Sequence, residues 1–248
     1  MALRPDISII YSVVIPAFNE EAFLPRTLQR LKNSMDKIEE QGEIIVVDNN
    51  SSDKTAEIAR DYAAHVIFEA VNQISKARNA GAKAASGKYL IFLDADTLID
   101  EKLIQTALNA LKSGAVCGGG TLVALEGETP LIAKLFLSLW NWSSIKLNLA
   151  AGCFIYCLRE AFEAVNGFSE EVYASEEIWL SRALGIWGKQ FNMKFHIIGD
   201  HPIVTSNRKL DWYTPGRLVL FYLPIVIFPP LVRIQYFCSS WYQRPGKQ

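Results

Sequence analysis

"YLIFLDADTLID", residues 89–100, sets five apolar side chains in a row and then places two carboxylates one residue apart, at Asp94 and Asp96. A continuous apolar run of this length, with polar residues after it, is the pattern of a strand covered on both faces, as in a parallel sheet. The two like charges at its end have two readings. They can be a solvated turn. If the chain stays extended, residues i and i+2 point the same way, and the pair can offer oxygen ligands to a divalent cation. The apolar run bears on the choice, because ligands of open α/β sheets sit outside the carboxyl ends of the strands.

Upstream, "IIYSVVI" (9–15) is a second apolar, β-branched run, ended by Pro16. Phe23, Leu24, Leu28, Leu31 and Met35 then recur at helical spacing, which predicts an amphipathic helix from Glu20 to about Lys37. The alternation repeats with "EIIVVD" as strand, "NNSSDKT" as loop, with Ser52 or Asp53 as helix cap, and "AEIARDYA" as helix. A weaker strand "HVIFEA", the Ala-rich helix "ISKARNAGAKAAS" and a helix across 101–112 complete the series. Strands alternating with helices predict right-handed crossovers and a mostly parallel, Rossmann-like sheet flanked by helices. Asp48, at the end of "EIIVVD", and the Asp94–Asp96 pair would then face one crevice.

After residue 115 the rhythm changes. "AVCGGGTLVAL" reads as a strand, "PLIAKLFLSLWNWSSIKLNLA" as a long apolar helix with Trp140 and Trp142, and "GCFIYCL" as another strand. Two helices, "REAFEAV" and "EEIWLSRALGIWG", follow, with Glu176 and Glu177 in the first turn of the second and Ser175 as its expected cap. "LVLFYLPIVIFPPLV" (218–232) is apolar throughout, but it is short for a spanning helix and holds Pro224, Pro229 and Pro230. Two readings stand for this C-terminal apolar helical tail: an interfacial segment, or a lid or oligomer contact on the helix at 131–149.

Composition excludes several classes. Lys and Arg total 25 against 26 Asp and Glu, for a net charge of -1, so no general basic field exists to hold nucleic acid. The four cysteines lie too far apart for a two-pair zinc signature, and "MALRPDIS" lacks the apolar stretch of a signal peptide, so a reducing cytoplasm is expected.

Taken in order, "VVIPAFNEE", "IIVVDNNSSDKT", "KARNAGAKAASGKYLIFLDADT" and "GFSEEVYASEEIWLSRAL" resemble the family 2 glycosyltransferases of the GT-A fold, and "GCFIYCLREAFEAVNGF" and "PIVTSNRKL" resemble their small, single-domain bacterial members. The resemblance implies a GT-A domain over 1–210, with a nucleotide-sugar half at about 9–115, an acceptor half at about 116–210, and an extension over 211–248. It implies that Pro16, Ala17, Asn19, Glu20, Asp48, Arg78 and Asp94 contact a nucleotide-diphosphate sugar, most simply a UDP-sugar. It further implies that Asp94 and Asp96 hold Mg²⁺ or Mn²⁺, with His201 as a candidate third ligand. The family's base is the second acid of a Glu-Asp pair, and here Glu176-Glu177 stands at that place, so Glu177 takes the base position. The expected reaction is inverting transfer of a sugar to an acceptor hydroxyl or a lipid-linked phosphate, at a cytoplasmic location that includes the inner membrane face. Two other classes are weighed. A sugar nucleotidyltransferase needs a Gly-rich, Arg-containing loop after the first strand, which "IPAFNEE" is not, and a non-catalytic nucleotide-sugar-binding subunit of a membrane assembly follows if Glu177 is no base.

Overall fold

The computed structural model describes residues 8–213 and 215–242; the rest of the expected 211–248 extension lies outside the described residues. Strand β1 (Tyr11–Ala17) is buried at every position and lies between β2 and β4 in the parallel part of the sheet. It pairs in parallel with β2 (Gly42–Asp48) on one side and β4 (Tyr89–Leu93) on the other, and β3 (His65–Phe68) extends the sheet beyond β2. Helices α1 (Leu24–Met35), α2 (Thr55–Asp61) and α3 (Ile74–Ala84) make the crossovers. The chain steps outward from β1 to β3 and then returns to the other side of β1. The carboxyl ends of β1 and β4 therefore flank the topological switch point, where open sheets bind ligands.

The second half adds antiparallel strands. After the short β5 (Thr97–Leu98) and α4 (Glu101–Lys112) come β6 (Val116–Leu125), α5 (Leu131–Leu147), β7 (Phe154–Leu158), α6 (Arg159–Ala164), α7 (Glu176–Gln190) and β8 (Lys194–Thr205). β7 pairs antiparallel with β4 and β6, β8 pairs parallel with β6, and the eight-stranded order is β3-β2-β1-β4-β7-β6-β8-β5. The glycines of "CGGG" lie inside β6. A Cβ on Gly119 would stand 1.9 Å from the His196 carbonyl, so these residues serve close strand approach. α8 (Arg208–Trp212) follows β8 directly.

Three local expectations are corrected, and one open alternative, turn or extended chain at Asp94–Asp96, is decided. α1 begins at Leu24, because residues 20–23 form a turn in which the Phe23 and Leu24 amides donate to the Glu20 carbonyl, and Pro25 sits in the first helical turn, where its missing N–H costs nothing. The chain does not stay extended through Asp94 and Asp96: the Thr97 amide donates to the Asp94 carbonyl at 3.2 Å, closing a turn. Lys54, not Ser52 or Asp53, holds the cap position of α2, and Asp53 instead accepts from the Thr55 amide at 3.0 Å as an Asx turn. Ser175 holds the cap position of α7 in the left-handed region (φ 63°), yet its side chain makes no capping bond.

Beyond β8 the chain forms α9 (Pro215–Ile227), single 3-10 turns at Pro229–Arg233 and Gln235–Cys238, and α10 (Ser239–Tyr242). Pro224 lies inside α9, and it is Pro229 that ends the α-helical run. Ile225, Val232 and Cys238 pack with Val172 and Ala174, ahead of α7. No helix among the described residues is long and apolar enough to cross a membrane.

Candidate active site

The sequence "KARNAG" builds the base of the site from one turn and a half of α3. Gly81 lets the helix lie directly on the sheet, since a Cβ there would stand 2.3 Å from Val14 Cγ1. Asn79 holds the 168–170 loop, accepting from the Phe168 amide at 2.9 Å and donating to its carbonyl at 2.9 Å. Arg78 then points beneath the switch point, 1% exposed, with its guanidinium 5.1 Å from the Phe168 ring centroid. It donates to Glu176 Oε1 at 2.5 Å, Asp94 Oδ1 at 2.8 Å and the Gly152 carbonyl at 2.7 Å. One buried cation thus ties α3, the turn after β4, the loop before β7 and the start of α7.

A second arginine holds the other aspartate. Arg208, on α8, pairs with both oxygens of the buried Glu20 and places Nε 3.0 Å from Asp96 Oδ2. Its guanidinium lies 5.0 Å from the Phe23 ring and 5.2 Å from the Trp212 ring. The Ser206 hydroxyl donates to the same Asp96 oxygen.

A cavity of about 530 Å³ opens between these clamps. Pro16, Ala17, Glu20, Arg78, Asp94, Asp96, Glu176 and Glu177 all line it, joined by Arg208, Trp140, Trp241 and Tyr242. Asn19 and Asp48 stand one step away. Asn19 Oδ1 accepts from the Ser52 amide at 2.8 Å, and Asp48 Oδ1 accepts from the Ser51 amide at 3.0 Å, so both shape the 49–53 loop beside the cavity. His201 is elsewhere: it lies in β8 and lines a separate cavity beneath α1, with Asp200 Oδ2 3.7 Å away. The structure does not bring it to Asp94 or Asp96.

Electrostatics separate the carboxylates. Burial raises the Asp94 carboxyl to about 6, with Asp96 adding to the effect and Arg78 opposing it. Burial raises Glu177 further, to about 8, and the neighbouring Glu176 charge adds to this. Among the described residues Glu177 has no ion-pair partner, because Arg78 is taken by Glu176 and Asp94. Its carboxyl carbon lies beside Gly152, where a Cβ would meet it at 3.8 Å. Cys153 beside Asp94 is an inert thiol, its pKa raised by burial and by both aspartates.

A divalent cation would find hard oxygen donors here, but few of them. No cluster of three or more His, Cys, Asp or Glu suited to a metal occurs among the described residues. Two carboxylates at a ligand-sized cavity match the way Mg²⁺ is commonly held, by one or two carboxylates with phosphate and water oxygens completing the shell. The donor set of Asp94 and Asp96 fits such an ion.

Arg208, Ser206 and Phe168 lie inside motif blocks of the sequence, but motif reading gave them no role in the site. "SNRKL" (206–210) carries the signal for two of them, a hydroxyl and a guanidinium just past the end of a strand, but nothing in the spacing links residue 208 to Asp96.

The family model described as "Glycosyl transferase family 2" matches residues 12–165. Glycosyltransferase AglE of Haloferax volcanii is 27% identical over 203 residues, covering 77% of this chain and 66% of that protein. The chain spans 39% and 66% of the length of the first two curated relatives and 28% and 25% of the next two. Among solved structures, S. aureus TarS 1-349 in complex with UDP-GlcNAc matches with a TM-score of 0.62 at 18% identity, covering 80% of this chain and 59% of that one. Mannosyltransferase PcManGT from Pyrobaculum calidifontis, in complex with GDP-Man and Mn2+, matches with a TM-score of 0.65 at 16% identity, over 93% and 69%. At these identities the likeness establishes the GT-A fold, and the family match covers more than half of the chain. The chain belongs to glycosyl transferase family 2.

Proposed function

We propose that this glycosyltransferase moves a sugar from a nucleotide-diphosphate donor, UDP-linked in the simplest case, to an acceptor hydroxyl or lipid-linked phosphate, with inversion at the anomeric carbon. The observation that carries this reading is the convergence on one cavity of two arginine–carboxylate clamps and one carboxylate, Glu177, that neither arginine neutralises. Neighbours of the same fold were solved with UDP-GlcNAc and with GDP-Man and Mn2+, which supports a nucleotide-sugar donor.

On this reading the half at 9–115 takes the nucleotide and the half at 116–210 the acceptor. Pro16, Ala17 and Glu20 border the donor, with Asn19 and Asp48 ordering the loop against it. Asp94 and Asp96 would hold Mg²⁺ or Mn²⁺, which when bound offsets the charge that develops on the leaving diphosphate. Arg78 keeps Asp94 and Glu176 in place and brings positive charge to the same end of the cavity. As the acceptor oxygen bonds to the anomeric carbon, the bond to the diphosphate breaks and its electron pair leaves with the nucleotide. Where the acceptor is a hydroxyl its proton passes to Glu177, whereas an ionised phosphate oxygen attacks without one. A raised pKa suits that role, because a carboxylate of ordinary acidity is a poor proton acceptor near neutrality.

A panel of UDP- and GDP-sugars with Mn²⁺, scored for binding and for slow hydrolysis, tests the proposal. Metal-dependent binding of at least one donor is expected, and the absence of binding to every member would overturn it. Donor binding with no turnover towards any acceptor, unchanged in Glu177→Gln, would favour the non-catalytic subunit.

A further inference from the structure

α5 carries a face that the described residues leave uncovered. Ser144 is its one buried residue, while Leu131, Leu135, Phe136, Leu139 and Trp142 recur at helical spacing and are between 58% and 73% exposed. The helix contains no Asp or Glu; its charges are Lys134 and Lys146, towards its two ends, and the nearest preceding acid is Glu128. The opposite side is anchored. Asn141 closes two hydrogen bonds on the Val123 backbone, at 3.0 and 2.9 Å, and Leu137 and Trp140 line the cavity of the site. The C-terminal segment borders the same cavity through Trp241 and Tyr242, and it also exposes apolar residues, Leu220, Ile227 and Phe228, with Arg217 as an exposed cation.

An apolar helix face of this size, with lysines at its ends and no carboxylate among them, matches the interfacial zone of a bilayer rich in anionic lipid. A second copy of the chain is a poorer fit, since a two-fold contact through this face repeats the same lysines on both sides with no acid on α5 to meet them. We infer that the outer face of α5, together with the exposed apolar residues of the C-terminal segment, rests in the surface of an anionic bilayer. The cavity, which Trp140, Trp241 and Tyr242 line, then opens at the membrane plane. The inference rests on the proposed transfer reaction in one respect: it gives the acceptor side of that site a lipid-linked substrate.

Co-sedimentation of the full chain with phosphatidylcholine vesicles, with and without phosphatidylglycerol, tests it without any donor or turnover. Binding is expected to the phosphatidylglycerol vesicles and to weaken with salt. Leu135→Glu combined with Phe136→Glu is expected to lower it by about tenfold or more. Ile186→Glu, at an equally exposed apolar position on α7, is expected to leave it unchanged. Absence of binding to both vesicle types, or equal loss in Ile186→Glu, would overturn the inference. A concentration-dependent dimer in vesicle-free buffer that the α5 substitutions dissolve would give the face to a second copy instead. Sugar-nucleotide binding of the same α5 variant separates the two readings, since it should persist when vesicle binding is lost.

Discussion

The two aspartates of the β4 turn are held by two arginines that come from opposite parts of the chain, and the clamps differ in what they join. Arg78 bridges Asp94 and Glu176 from within α3, and every element it touches belongs to the main sheet layer or packs on it. Arg208 bridges Asp96 and Glu20 from the short α8, beyond the last strand, gripped between Phe23 and Trp212. Charge is balanced in the same way in both, one guanidinium between an aspartate and a buried glutamate. What differs is the connection: the first clamp is part of the folded core, and the second fastens a peripheral segment to the rim of the site.

Removing each guanidinium separates these roles. In Arg78→Met, Glu176 and Asp94 lose their cation in a buried setting, and a loss of about 3–5 kcal/mol is expected. For a chain of this size each kcal/mol lowers the melting temperature by about 2–4 °C, so thermal unfolding reads the effect directly. A melting temperature equal to that of the unsubstituted chain would remove Arg78 from the core of the account.

Glu177 sharpens the comparison as the carboxylate that neither arginine takes. Glu177→Gln should keep donor binding and lower turnover by about 10²–10⁴-fold. In the unsubstituted enzyme kcat/KM should rise with pH towards the raised Glu177 value, since the base must be deprotonated to act. Stability should run the other way. Above the ordinary carboxylate range the native state still holds the Glu177 proton while the unfolded chain has released it, so stability falls as pH rises up to about 8. Thermal melts across that window should show a smaller decline in Glu177→Gln, and parallel declines would contradict the assignment.

Arg208→Met is expected to act locally. Amide exchange should quicken across 206–213 more than in β1 or β4, because the lost contacts fasten only that segment. With Asp96 relieved of a neighbouring cation, Mn²⁺ should bind the nucleotide-free protein more tightly, by roughly tenfold for the removal of one nearby like charge in high dielectric. Titration followed by the manganese EPR signal measures this, and weaker Mn²⁺ binding would contradict the expected competition.

The first half of the molecule was readable because its signals are local. Apolar runs at 9–15, 43–48 and 89–93 became the three central parallel strands, and the Asp94–Asp96 pair, Arg78 and Glu177 reached one cavity. Turn geometry was not readable at the same level. One hydrogen bond, from the Thr97 amide to the Asp94 carbonyl, separates an extended pair of aspartates from a turned one, and apolar patterning does not encode it. Arg208 was missed for a different reason. Its partners Glu20 and Asp96 lie 188 and 112 positions earlier, and only the return of β8 to β5 brings them together. His201 shows the converse, since the family resemblance made a histidine expected just past an apolar strand a candidate ligand, while it lies within β8 and lines another cavity.

Asp96→Asn tests most directly the proposed joint hold of Asp94 and Asp96 on a cation and a nucleotide diphosphate. By isothermal titration, donor binding to the unsubstituted protein should weaken by roughly 10–100-fold on chelation of Mn²⁺, while Asp96→Asn should bind weakly whether or not metal is present. Equal donor affinity with and without metal, or an Asp96→Asn variant that responds to Mn²⁺ like the unsubstituted protein, would contradict the account.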